Sequence, residues 1–113
     1  DPQDHAAIDA FIDRADLMLH GSGPGLVGAA ALARWCHRTD RPFGVFGVTL
    51  GEIGERERPL LEGAAFVFTR ETASLERLRA AGLDGEAVRF VPDAALATSA
   101  RDDVSARKLL AEK

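Results

Sequence analysis

The sequence predicts a doubly wound α/β domain with a mostly parallel, four-stranded sheet and helices on both faces. Four short runs rich in β-branched and aromatic residues recur along the chain, and a helical pattern follows each run. The runs are mostly continuous in apolar residues, which is typical of strands covered by helices on both faces. The segments between runs exceed the dozen or so residues that a right-handed parallel crossover needs.

Composition places the chain among ordinary globular domains. It has 113 residues, of which 46% are hydrophobic and 28% charged, and its net charge is -4. An acidic domain repels a phosphate backbone, so we expect no nucleic-acid partner. We also expect no membrane span, because no stretch approaches about 20 uninterrupted apolar residues. The single cysteine, Cys36, excludes an internal disulfide and predicts a cytoplasmic protein.

The elements follow in order along the chain. The four strands are predicted at residues 17–20, 43–46, 65–68 and 88–91. Helices are predicted around the apolar periodicity that starts at Ile8, and at residues 24–37, 55–62, 71–81 and 104–113. Gly82 ends the fourth helix, and Asp102 or Asp103 caps the last. We expect residues 1–97 to form the domain and residues 98–113 to form a linker and a terminal helix.

The segments after the strands carry the candidate chemistry. Ligands of open parallel sheets bind at the carboxyl ends of the strands, where helix amino termini favour anions. A glycine-rich loop follows the first strand, Gly47 to Gly51 follows the second, Arg70 follows the third and Pro92-Asp93 follows the fourth. Glycine, hydroxyl, guanidinium and carboxylate groups should therefore meet at one edge of the sheet.

In their order and spacing, these motifs resemble the polysaccharide pyruvyl transferase family. The match covers about residues 16–97. Its matching residues are Asp16, Gly21, Gly23, Gly47, Thr49, Gly51, Arg70, Glu71, Ser74, Leu78, Pro92 and Asp93. The chain departs from the family at Ser22, which interrupts a run of three glycines, and at Glu52, where the family commonly has proline.

The resemblance implies transfer of pyruvyl from phosphoenolpyruvate to a sugar hydroxyl of a cell-surface glycan or its precursor. It also implies a two-domain, GT-B-like enzyme whose second domain is missing from these residues, so we expect the chain alone to be inactive. No cofactor or metal is implied. Arg70 and Asp93 are the expected catalytic residues. The expected substrate-binding residues are Gly21, Ser22, Gly23, Thr49, Gly51 and Ser74.

Other interpretations of the same residues stay open. Residues 23–28 match the dinucleotide pattern Gly-x-Gly-x-x-Gly, but the second strand lacks the acidic residue that such a site needs at its end. Arg70 could merely pair with Glu71 or Asp93, Asp93 could cap a turn, and Ser74 could bond local backbone. The alternative functions are half of a GT-B glycosyltransferase that uses a nucleotide sugar, and a non-catalytic flavodoxin-like module.

Overall fold

The strands assemble into one parallel sheet. The computed structural model describes residues 2–21, 23–99 and 101–112. The strands are β1 Met18–His20, β2 Gly23–Pro24, β3 Phe43–Thr49, β4 Phe66–Thr69 and β5 Val88–Phe90. Their order is β1-β3-β4-β5, with the short β2 also paired to β3, and every pairing is parallel. The predicted parallel α/β sheet is confirmed, and β2 is an addition to the four predicted strands.

Five α-helices lie in the described residues. Their bounds are α1 Pro2–Arg14, α2 Ala29–Arg38, α3 Glu57–Gly63, α4 Thr72–Ala80 and α5 Asp103–Ala111. The predicted start of α2 at residue 24 is wrong, because Pro24 pairs with Thr49 in the sheet. Gly25 and Gly28 then take positive φ angles of 69° and 87°, which interrupt any helix before Ala29.

One face of the sheet carries the hydrophobic core. Val45 and Val67 are paired across β3 and β4 and are almost fully buried. The same buried cluster takes residues from four helices: Ile12, Leu32, Trp35, Leu61 and Leu78. Helices α2, α3 and α4 each contribute at least one buried side chain to this cluster. In chain order, each of β1, β3, β4 and β5 is added next to the one before it, in one direction across the sheet. Right-handed crossovers between such strands place the connecting helices on the same face of the sheet.

The other face of the sheet carries an aromatic row. Phe46 and Phe68 are paired in register, and their ring centroids lie 6.1 Å apart in an edge-to-face arrangement. Phe66 lies beside Phe68 at 4.7 Å and extends over Gly44, where a Cβ would overlap its ring. All three rings are partly buried. A glycine at position 44 is therefore what allows this ring to pack flat on the sheet.

Helix α1 is held to α2 by arginine pairs. Arg34 Nε lies 2.5 Å from Asp9 Oδ1, and Arg38 Nη2 lies 2.7 Å from Asp13 Oδ2. Hydrogen bonds from Arg34 and Arg38 lower the pKa values of Asp9 and Asp13 respectively. These arginines are thus committed to intramolecular contacts between two helices.

The carboxyl-terminal part begins with a turn that the sequence did not predict. Ala94–Ala97, at the end of the predicted domain, forms a 3-10 helix with Asp93 at its amino terminus. Helix α5 follows, and Asp102, one of the two expected caps, accepts a hydrogen bond from Ser105 N at 3.0 Å. None of the described residues of α5 is buried.

Candidate functional site

The carboxyl edge of the sheet brings four predicted motifs side by side. Main-chain bonds join neighbouring loops in strand order: Gly25 N donates to Thr49 O at 2.6 Å, and Arg70 N donates to Val48 O at 3.2 Å. Val91 N donates to Thr69 O at 2.9 Å and continues the β5 pairing toward Asp93. The glycine loop, Thr49, Arg70 and Asp93 therefore form a continuous line along this edge, because parallel strands all end on the same side.

Arg70 occupies the middle of that line. Its Nε donates to Thr49 Oγ1 at 2.7 Å, and its Nη1 lies 3.4 Å from Asp93 Oδ2. The side chains of Arg70 and Asp93 are 30% and 35% exposed. Within the described residues, Nη2 of Arg70 has no hydrogen-bond partner in the protein. A planar guanidinium held by Nε and Nη1 can still present Nη2 to a carboxylate or a phosphate.

Asp93 divides its carboxylate between two partners. Oδ1 accepts a hydrogen bond from Ala95 N at 2.9 Å, which caps the 3-10 helix, and Oδ2 faces Arg70. Of the two ion-pair partners considered for Arg70, the structure selects Asp93. Each carboxylate oxygen has a second lone pair, so Asp93 can still accept a hydrogen bond from an incoming hydroxyl.

The loop after β1 is shaped by glycine and closed by histidine. At Gly21 and Gly23 no other atom of the described residues lies within 4 Å of the position that a Cβ would occupy. His20 Nε2 donates to Val27 O at 2.6 Å and closes the loop, while the buried Nδ1 has no partner among the described residues. Ser22, an expected substrate-binding residue, lies outside the described residues.

Ser74 of α4 forms a hydrogen bond with the loop that follows β3. The side chain is fully buried, and its Oγ accepts a hydrogen bond from Leu50 N at 2.7 Å. It also donates to Glu71, whose carboxylate caps α4 by accepting from Ser74 N at 2.9 Å. The Ser74 hydroxyl bond lowers the pKa of Glu71. Ser74 is one of the expected substrate-binding residues, and in this structure its buried hydroxyl is bonded to Leu50 and Glu71.

Arg77 is a site-adjacent residue that the sequence analysis missed. Its Nη1 donates to Leu50 O at 2.6 Å. One signal was available: Arg77 follows Ser74 by three residues and so lies on the same side of α4. Gly51, the last predicted residue of this loop, is exposed and has nothing within 4 Å of a Cβ position.

Metal-binding clusters and membrane-spanning helices are absent from the described residues. No group of three or more His, Cys, Asp or Glu side chains there could hold a metal ion. No helix in the same residues has both the length and the apolar character needed to cross a membrane.

Comparison with known proteins identifies the family. The family model of polysaccharide pyruvyl transferase matches residues 4–112, which is nearly the whole chain. Curated proteins and solved structures gave no match. The family match agrees with the motifs that meet at the carboxyl edge and supports a transferase domain. The chain therefore belongs to the polysaccharide pyruvyl transferase family.

Proposed function

We propose that this domain forms one wall of a site that transfers pyruvyl from phosphoenolpyruvate to hydroxyls of a sugar. The acceptor is a cell-surface glycan or its precursor. Family membership supports the reaction class. The observation that carries the proposal is Arg70, which contacts both Thr49 and Asp93 beside an open glycine loop. A guanidinium at such an edge suits a substrate that bears both a carboxylate and a phosphate.

The proposed reaction converts an enol phosphate into a ketal. Two sugar hydroxyl oxygens bond to C2 of phosphoenolpyruvate, and the bond from C2 to the phosphate-bearing oxygen breaks. One hydroxyl proton ends on C3, which becomes a methyl group, and the other leaves with inorganic phosphate. The reaction therefore needs an anion-binding group, an acceptor for a hydroxyl proton and a proton donor to C3.

The residues at the edge supply two of these functions, the anion-binding group and the acceptor of a hydroxyl proton. Arg70 binds an anionic group of phosphoenolpyruvate through Nη2, and Asp93 accepts a hydrogen bond from the sugar hydroxyl and draws off its proton. Main-chain N–H groups of the loop that contains Gly21, Ser22 and Gly23 bind substrate oxygens. Thr49 and Gly51 complete this surface. Ser74 contributes by fixing the 49–51 loop.

The complete site needs a second wall. Arg70 and Asp93 are each about one-third exposed, and charged contacts at that exposure give little affinity by themselves. We propose that a second, GT-B-like domain closes over residues 1–97 and excludes water, and that residues 98–113 lead toward it. We place the reaction in the cytoplasm, where the lone Cys36 would remain reduced.

The test is Arg70→Ala in the full-length protein. Phosphate release from phosphoenolpyruvate should fall by about 100-fold, because a charged group that contacts the reacting substrate is lost. The free energy of unfolding should fall by only roughly 1–2 kcal/mol, since one charged hydrogen bond and one long, part-exposed ion pair disappear. Both should be measured at 25 °C, where such a variant remains folded.

Arg58→Ala is the matched control. Arg58 also holds one carboxylate, Glu62 at 3.1 Å, and one further oxygen, Ala81 O at 2.8 Å, but it lies on α3. It should lose comparable stability and keep its activity. Equal activity losses in the two variants would make Arg70 a structural ion pair. Chemical-shift changes with nucleotide sugars and none with phosphoenolpyruvate would favour a GT-B glycosyltransferase instead.

A further inference from the structure

In the proposed site, the main-chain N–H and the carbonyl of Leu50 both form hydrogen bonds with side chains of one helix, α4. Leu50 lies between Thr49 and Gly51. Its N–H donates to Ser74 Oγ at 2.7 Å, and its carbonyl accepts from Arg77 Nη1 at 2.6 Å. Ser74 and Arg77 both belong to α4, and the Leu50 side chain is only 4% exposed. The two peptide groups on either side of Leu50 are therefore fixed by hydrogen bonds from one rigid element.

These hydrogen bonds from α4 act on the residue next to Thr49. Thr49 is joined directly to the Leu50 N–H that Ser74 holds, and its Oγ1 receives the hydrogen bond from Arg70 Nε at 2.7 Å. On the other side of Leu50, nothing lies within 4 Å of a Cβ position at Gly51, and glycine has the widest choice of backbone angles. Thr49 is also the last residue of β3, and its carbonyl accepts a hydrogen bond from Gly25 N at 2.6 Å. The sheet therefore holds one side of the peptide between Thr49 and Leu50, and Ser74 holds the other.

The contacts of Arg77 also differ from those of the other arginine of α4. Within the described residues Arg77 forms no ion pair within 4 Å, whereas Arg79 on the same helix pairs with Asp84 at 3.4 Å. Arg77 instead directs a charged donor at one main-chain carbonyl. A charged donor makes a stronger hydrogen bond than a neutral one, and it does so here at the loop that carries Thr49.

We propose that Arg77, together with Ser74, is a positioning residue of the transferase site. It fixes the Leu50 peptide, and through Thr49 it sets the direction of the Arg70 guanidinium. This inference rests on the proposed function of Arg70. In this proposal Ser74 and Arg77 do not touch the substrate themselves. They orient Arg70, which does.

The first measurement is spectroscopic and does not depend on activity. In the 113-residue chain, the side-chain Nε–H resonance of Arg70 reports its hydrogen bond to Thr49. Arg77→Ala should shift and broaden this resonance, Arg77→Lys should restore much of the native shift, and Arg79→Ala should leave it unchanged. An Arg70 resonance that is the same in Arg77→Ala and in the native chain would overturn the proposal.

The second measurement is kinetic, in the full-length protein. Arg77→Ala should lower kcat/KM for phosphoenolpyruvate by about 10- to 100-fold, because a misplaced contact group costs that much, and Arg77→Lys should recover most of the loss. Arg79→Ala should retain native activity. If Arg77→Ala moves the Arg70 resonance but kcat/KM stays native, Arg77 positions Arg70 but has no role in catalysis, which overturns the proposal. If the native protein does not consume phosphoenolpyruvate, the proposed function fails, and the resonance still decides whether Arg77 positions Arg70.

Discussion

Arg41 joins the end of α1 to the start of β3, and its replacement by alanine should destabilise the domain more than that of an exposed arginine. Its Nη1 donates to Ala15 O, and its Nη2 donates to Ile12 O at 2.7 Å. Both carbonyls lie at the carboxyl-terminal end of α1, where cations are favoured. Its guanidinium also lies 5.1 Å from the centre of the Trp35 ring.

The cost of Arg41→Ala can be built from these contacts. Two charged hydrogen bonds to part-buried carbonyls contribute about 1 kcal/mol each, and the stacking on Trp35 contributes about 0.5–1 kcal/mol. A further bond from Nε to Thr39 Oγ1 at 2.8 Å adds a smaller amount. The bond from Trp35 Nε1 to Arg41 O survives, because its acceptor is main chain. The total is roughly 2–4 kcal/mol, or a fall in Tm of about 8–16 °C for a domain of this size.

Urea unfolding of the 113-residue chain measures this cost, with two comparison variants. Arg41→Lys keeps the positive charge but loses the two parallel N–H donors of the guanidinium. It should therefore cost about half as much stability as Arg41→Ala. Arg38→Ala removes exposed ion pairs with Asp13 and Asp9, and this should cost much less stability than Arg41→Ala, because solvent screens exposed pairs. If Arg41→Ala and Arg38→Ala lowered the free energy of unfolding equally, the assigned role of Arg41 in holding α1 would be refuted.

Three further changes test other parts of the fold. Gly44→Val should destabilise by about 1–3 kcal/mol in urea unfolding despite the strand preference of valine, because the new side chain overlaps Phe66; a stabilised variant would contradict the packing. Glu71 has a lowered pKa, so the stability advantage of the native chain over Glu71→Gln should be full above the ordinary value of 4.5 and disappear as pH falls through the lower folded pKa. An advantage that does not change with pH, in unfolding followed from pH 7 to 2, would contradict this. Asp102→Ala should speed amide exchange in α5 by removing its cap, while global Tm stays constant because no described residue of α5 is buried.

The sequence was sufficient to predict four of the five strands because the pattern there is local. Continuous apolar runs, long connections and strand-end glycines are enough to predict a parallel α/β sheet, and the order of motifs is enough to indicate the family. Parallel strands end on one edge, so the proximity of Thr49, Arg70 and Asp93 could also be predicted. This part of the site follows from topology rather than from side-chain detail.

The tertiary structure decided which partner each polar group takes. The sequence left two possible ion-pair partners for Arg70, Glu71 and Asp93. In the folded chain Arg70 Nη1 lies 3.4 Å from Asp93 Oδ2, so Asp93 is the partner. Ser74 looked like a ligand group until burial committed its hydroxyl to Leu50 and Glu71. The role of Arg77 could not be read at all, because its acceptor is a carbonyl 27 positions away in sequence. Hydrogen-bond partners between distant segments depend on packing geometry, which local periodicity does not encode.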